Sequence, residues 1–274
     1  MIYLIIIIAA LCAAAFRTGY KLCFREHPEV VVLSAAQTIA ALLTLPLLYF
    51  YYPTTPVPWL LLITQAFLWT AFVYFDIRSL KHLDLGLASI LGSSEYVVQL
   101  FVSVLVFSEH FSVTRILGAA IILFGIVVAA EWKKPEFKKG FGFQLLSVLC
   151  IIIVLPIDAV LARELNPWFV GAFAYLGPTA LLLIWNFAQR REILRLAFAP
   201  GYGMAAGLLN GTQYLLTLYL FTQLQYSQTV SSFQLSMAFS LLLGWWVLKE
   251  NQNISRRMFA ALLVFVGVGL FILK

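Results

Sequence analysis

Charge is scarce in this chain, and so are cysteine and histidine. Lys, Arg, Asp and Glu make up 11% of its 274 residues, against 62% hydrophobic, whereas a soluble domain carries roughly 25% charge and a roughly even apolar share. That composition excludes a soluble globular domain and describes an integral membrane protein. Three cysteines, Cys12, Cys23 and Cys150, lie in or at the ends of apolar runs. They are too few for a disulfide framework and lack the paired spacing of a metal site, so they read as packing residues. The histidines His27, His82 and His110 fall in or beside loops rather than as an i, i+4 metal pair. No Walker lysine loop, nucleophile elbow or CxxC is present, which argues against an enzyme or an ATP-driven pump and implies no cofactor.

What the chain has in abundance is long apolar runs. A spanning helix takes about 20 mostly apolar residues to cross a hydrocarbon core of roughly 30 Å. Ten windows fit: 1–24, 29–52, 57–77, 84–107, 111–131, 141–162, 167–188, 200–222, 226–249 and 254–273. The loops between them are too short to fold alone. The first window has no basic residue ahead of its apolar run, as a signal peptide would, and reads as a retained helix.

The surplus charge of +6 would suggest nucleic acid in a soluble protein, but here it sorts by loop. The odd-numbered connections hold fourteen Lys and Arg: Lys21, Arg25, Arg78, Lys81, Lys133, Lys134, Lys138, Lys139, Arg190, Arg191, Arg195, Lys249, Arg256 and Arg257. The opposite side holds three, Arg115, Arg163 and Lys274. Short loops rich in Lys and Arg stay in the cytoplasm, so the odd loops belong there and both termini on the far side of a multi-pass cell membrane protein. No nucleic-acid partner is implied.

A shift of 141 residues lays "VFSEHFSVTRILGAAIILFGIVV" over "VLKENQNISRRMFAALLVFVGVG" without a gap. It pairs Glu109 with Glu250, Arg115 with Arg256, Ala119 and Ala120 with Ala260 and Ala261, and Phe124 with Phe265. The shift superimposes all five windows of each half, giving a first repeat over 1–133, a basic linker over 134–141 and a second repeat over 142–274. Five crossings is an odd number, so the second copy enters the membrane the other way up. The expected fold is therefore an all-α bundle of ten transmembrane helices in a five-plus-five inverted repeat.

In each half an apolar fourth helix ends in Glu, followed by a few polar residues, Arg, and a Gly- and Ala-rich fifth helix: Glu109 to Arg115 and Gly118 to Gly125, then Glu250 to Arg256 and Ala260 to Gly269. This resembles the EamA-type branch of the drug/metabolite transporter superfamily, although Phe259 stands in the second copy where the first has Gly118. The resemblance implies transport of a small metabolite without choosing one. Glu109 and Glu250 themselves sit at helix ends, where a carboxylate satisfies free N–H groups and the positive end of a helix dipole.

Glu95 is different, because it lies about 18 Å by helix rise from either end of its window. A charge there costs on the order of 2.5–3.5 kcal/mol even on the lenient insertion scale, so it must face the bundle interior or a wet cavity. Gly92, Glu95, Tyr96, Gln99 and Ser103 recur on one face of that helix. Similar stripes appear in the ninth window (Gln225, Gln228 or Thr229, Ser232, Ser236, Ser240), the eighth (Asn210, Gln213 or Tyr214, Thr217) and the third (Gln65, Trp69, Phe72 or Asp76). Each stripe is able to line one central cavity, or simply to bond neighbouring helices. Arg17, some 10 Å deep by helix rise, either snorkels, pairs with Glu95 or receives an anionic group. Its repeat mate Asp158 belongs near the opposite surface. Gly203, Gly207 and Gly211 read as a close-packing stripe, and Pro156 and Pro178 as bend points.

These residues describe a secondary-active or facilitative carrier of a small polar metabolite, working by alternating access around a mid-membrane site. Glu95, Arg17, Trp69, Tyr96, Gln99, Asn210, Gln213, Tyr214, Gln228, Ser232 and Ser236 are the expected substrate contacts. Glu95 suits an amine or a coupling proton, the rings of Trp69, Tyr96 and Tyr214 suit a cation, and Arg17 suits a carboxylate, so a zwitterion such as an amino acid fits. Membrane lipid surrounds the chain as a monomer or homodimer. Two rivals stand beside this reading: a lipid head-group handling protein, and a scaffold in which Glu95 merely pairs with Arg17.

Overall fold

Backbone polar groups find no partner in hydrocarbon, so a chain this apolar satisfies them within each segment by winding into helices. The computed structural model describes residues 2–24, 26–110, 112–129, 135–198, 201–250 and 253–272. Of the loop charges counted above, Arg25, Lys133, Lys134 and Lys274 lie outside the described residues, as does the side chain of Arg115. Among the described residues there are thirteen α-helices, one short 3-10 turn at Phe187–Gln189, and no strand. The first repeat holds α1 (Ile2–Cys23), α2 (Glu29–Phe50), α3 (Trp59–His82), α4 (Leu85–Gly92), α5 (Glu95–Leu105) and α6 (Val113–Ala129). Then come α7 (Pro135–Glu164), α8 (Pro167–Trp185), α9 (Arg190–Phe198), α10 (Tyr202–Gln223), α11 (Tyr226–Ser232), α12 (Leu235–Trp246) and α13 (Ile254–Ile272).

Helix starts follow local chemistry. Pro28 and Pro58 immediately precede α2 and α3, and Pro167 opens α8, positions where a missing N–H costs no helical bond. The Asn166 side chain accepts the Trp168 N–H at 3.0 Å and caps α8. Among the described residues, six stretches, α1, α2, α3, α4 continued into α5, α7 and α8, are long and apolar enough to cross a membrane. The basic segment expected as a linker over 134–141 is instead helical from Pro135 onward. Phe137 buries in the core while Lys138 and Lys139 face out, so the charges do not interrupt the winding.

The helices expected to be continuous at the fourth and ninth windows each tighten at one turn. Ser93 and Ser94 donate to Ile90 and Leu91 at 3.2 and 3.1 Å, and Phe233 and Gln234 to Val230 and Ser231 at 3.2 and 3.1 Å, i→i−3 bonds in both places. The two turns touch: Ser93 Oγ donates to Gln234 Oε1 at 2.8 Å, and these residues are 141 apart. The most extensive helix pairings obey the same shift, with α3 on α7, α1 on α10, and α6 on α13. Backbones meet closely in the last of these. A Cβ on Gly267 would lie 2.6 Å from the Gly118 carbonyl, and one on Gly125 3.0 Å from the Ala260 carbonyl. A Cβ on Gly207 of α10 would likewise lie 2.6 Å from the Ala36 carbonyl of α2, which is the close packing expected of its stripe. Gly211 makes only ordinary contact with Ala40, and the surroundings of Gly203 lie outside the described residues.

Glu109 and Glu250 each cap a helix far along the chain. Glu250 Oε2 accepts the Leu85 N–H at the start of α4 at 2.8 Å, and Glu109 Oε1 accepts the Ser227 N–H at the start of α11 at 3.1 Å. Each carboxylate thus holds the helix of the opposite half. Both are carried by one backbone turn: Ser108 and Lys249 adopt φ of 54° and 59°, and the next N–H closes onto Ser103 and Gly244 at 3.1 and 3.0 Å.

Candidate functional site

Between α1, α2, α3, the α4–α5 turn, α7, α8, α10 and α12 lies a cavity of about 180 Å³. Glu95 is on its wall as the first residue of α5, immediately past the tightened turn. Its carboxylate has no hydrogen-bond or ion-pair partner among the described residues and is reached from the cavity rather than sealed in packing. A carboxylate on a cavity wall with neither an ion-pair nor a hydrogen-bond partner among the described residues is open to a ligand.

Arg17 lines the same cavity but does not pair with Glu95. Its Nη2 lies 2.7 Å from Asp76 Oδ1 and its Nη1 donates to Ser89 Oγ at 3.1 Å. This corrects both the snorkelling and the Glu95-pairing expectations. Asp76 is one turn and a half from the end of α3, on the side facing α1, and the guanidinium fork takes the nearer acid.

Trp69, Tyr96, Asn210, Gln213, Tyr214 and Ser236 also line the cavity. Trp69 forms an aromatic corner with Phe72 and Tyr214, edge to face at centroid distances of 5.0 and 4.9 Å, and Tyr175 extends it 5.5 Å from Tyr214. Tyr96 is differently employed, since its hydroxyl donates to the Val230 carbonyl across the two halves. Gln213 donates to Thr217 at 3.0 Å, and Ser236 to the Phe233 carbonyl at 2.5 Å.

Three expected contacts lie elsewhere. Gln99 is buried against α7, donating to the Ile151 carbonyl at 3.3 Å and accepting from Tyr226 Oη. Gln228 sits in the first turn of α11, where its Oε1 accepts the Gln225 N–H at 3.4 Å. Ser232 donates back to the Thr229 carbonyl at 2.6 Å. A stripe drawn at a uniform 3.6-residue period is interrupted where α4 passes into α5 and α11 into α12: Gln99 lies beyond the first tightened turn, and Gln228 and Ser232 lie before the second.

Some cavity residues belong to none of the expected stripes. Tyr20, Gln37, Ser89, Ser93, Gln144 and Gln234 all line the cavity, and Gln37 Oε1 is buried without a hydrogen-bond partner. Amides at positions 37, 144 and 234 inside apolar windows were the available signal. Asp158 also lies deeper than expected. It is fully buried and receives three neutral donors: Gln65 Nε2 at 2.6 Å, Tyr214 Oη at 2.9 Å and Trp69 Nε1 at 3.1 Å. Hydrogen bonds to a charged group are worth about 1.5–3 kcal/mol each, so three offset an insertion penalty of about 2.5–3.5 kcal/mol without any cation.

The family model described as "EamA-like transporter family" matches residues 1–130 and 138–273. No curated protein matches the chain. A solved crystal structure, titled only as that of a protein, superposes with a TM-score of 0.64 over 99% of this chain and 97% of its own, at 15% identity. That likeness extends to the fold alone.

Proposed function

Since this chain belongs to the EamA-like transporter family, we propose that it is a secondary-active or facilitative carrier of a small polar metabolite bearing a protonated amine, bound at Glu95. The observation that carries this reading is the unpartnered Glu95 carboxylate on the wall of a central cavity. The engagement of Arg17 with Asp76 and Ser89 leaves Glu95 as the acid not already matched by a cation, which favours a cationic group, able to hold Glu95 ionised, over the zwitterion that a free Arg17 would have suited. The aromatic corner of Trp69, Phe72 and Tyr214 offers ring faces to the same charge. Gln37 Oε1 supplies a further acceptor. A scaffold held by a Glu95–Arg17 pair loses its premise, because Arg17 is occupied.

The transport cycle follows from the symmetry. We take the chain as ten spans in two inverted repeats, 1–133 and 142–274, in the cell membrane with the odd loops cytoplasmic, as a monomer or homodimer. The tightened turns at Ser93–Ser94 and Phe233–Gln234 lie on the axis between the halves, immediately before Glu95 and Ser236, residues 141 apart. Rocking of one half against the other about these turns exposes Glu95 to one side and then the other.

A thermal-shift screen of the purified protein against polyamines, choline-like amines, amino acids and nucleosides tests the site. The expected outcome is stabilisation by an amine that disappears in Glu95→Gln. Stabilisation by carboxylates or nucleosides but by no amine, or an amine shift that persists in Glu95→Gln, overturns it.

A further inference from the structure

Asp158 is the one acid in the described interior that the site above does not use. Its surroundings are built for two protonation states. As an ion it is acceptor-only, and Gln65, Trp69 and Tyr214 all donate to it. Once protonated, one of its oxygens becomes a donor and needs an acceptor. That acceptor is already present. Gln65 is fully buried and its Oε1 has no hydrogen-bond partner. Rotating the amide by half a turn brings Oε1 to the place Nε2 now holds, 2.6 Å from Asp158 Oδ1 and 3.2 Å from Tyr214 Oη. In that orientation the Asp158 O–H donates to Gln65 Oε1. A carboxylate serving only to tie helices together has no use for this spare acceptor.

We propose that Asp158 is a proton-binding site of the carrier, separate from the substrate carboxylate Glu95, with the Gln65 amide as the switch that accommodates both states. The inference rests on the transport reading above. The titratable groups facing Asp158 are phenols, Tyr214 from α10, Tyr175 from α8 and Tyr226 from α11, while α3 presents the neutral Gln65 and Trp69. No described cation lies within ion-pair distance, and Asp76, on the same α3, is turned to Arg17. Proton uptake therefore changes the charge of this pocket outright instead of trading against a neighbouring ion.

Two of the donors connect the pocket to the cavity. Trp69 and Tyr214 line the cavity and also hold Asp158. Protonation discharges the carboxyl and so weakens Oδ2 as the shared acceptor of Trp69 and Tyr214, loosening the hold on two side chains that face the ligand. Ligand and proton then bias each other, and the coupling is reciprocal by linkage. Only O–H bonds are made and broken: the proton enters by way of the Tyr214 hydroxyl, which lines the cavity and hydrogen-bonds the carboxylate at 2.9 Å, and leaves by the same route after the cavity has changed sides.

Infrared difference spectra of the purified full chain in lipid, between acidic and alkaline buffer, read this directly. The wild type should show a protonated-carboxyl C=O band that is lost in Asp158→Asn, shifted in Gln65→Met, and retained in Glu95→Gln. Spectra in which Asp158→Asn leaves every such band in place overturn the proposal. Should Asp158→Asn fail to fold, Asp158→Glu and Gln65→Met carry the test, and a band unmoved in both is equally fatal. The two readings fail separately. An Asp158 band without liposome uptake of any polyamine or choline-like amine sinks the transport reading, whereas uptake without an Asp158 band sinks the proton site alone.

Discussion

At the scale of the residue, Glu95 and Arg17 carry opposite expectations. Glu95 has no partner to strand, so Glu95→Gln, nearly the same size and uncharged, should leave the melting temperature in detergent unchanged or slightly raised while amine uptake into liposomes collapses. A mutant that melts like the parent and transports at the parental rate removes Glu95 from the site. Asp76→Asn strands the Arg17 cation and should cost on the order of 3 kcal/mol, read as a lowered melting temperature. Replacing both ends, Arg17→Met with Asp76→Leu, should recover most of that loss; additive losses in the double mutant would mean that the 2.7 Å contact couples nothing.

The same residues mark how far the sequence could be read. Depth along one helix is a property of the sequence, so Glu95 was visible as an isolated acid in mid-window. Lateral position is not. Glu95 was the acid expected for Arg17 and Asp76 is the one it meets, because the choice depends on how α1, α3 and α5 are rotated about their axes. Asp158 illustrates the point further. Its window put it near a surface, yet its donors come from α3 and α10, 93, 89 and 56 residues away, and they enclose it completely.

At the scale of the element, the repeat was legible only where packing leaves little freedom. In the segment pair with visible identity, α6 and α13, the backbones approach closely through Gly118, Gly125 and Gly267. Elsewhere lipid accepts any apolar side chain and identity decays. Gly267→Ala should therefore push Cβ into the Gly118 carbonyl, a backbone atom that has nowhere to move, and destabilise by about 1–3 kcal/mol. Gly269→Ala, two residues on, meets nothing within 4 Å and should be neutral or slightly stabilising. Thermal melts of the two variants should move apart; equal shifts would mean that α6 and α13 do not meet through this face.

At the scale of the whole molecule, three ion pairs gather at one end of the bundle, apart from the Arg17–Asp76 pair on the cavity. Lys21 meets Glu250 at 2.6 Å, Lys81 meets Glu29 at 2.7 Å and Arg257 meets Asp84 at 2.5 Å, all at the end where the odd-numbered connections emerge. Glu109 at the start of α11 and Arg163, which donates to the Phe221 carbonyl at 3.0 Å, gather at the other end. Because the shift of 141 residues exchanges Glu109 with Glu250, each half presents its acidic cap at the opposite end from its copy, as an odd number of crossings requires. The end rich in Lys and Arg should then be cytoplasmic by the positive-inside rule. Two fusions after residue 274 decide it. An alkaline phosphatase, active only outside the cytoplasm, should be active there, and a green fluorescent protein that matures only in the cytoplasm should stay dark. The reverse pair of results would place the basic loops outside and overturn the orientation, while leaving the fold, the cavity and Glu95 where they are.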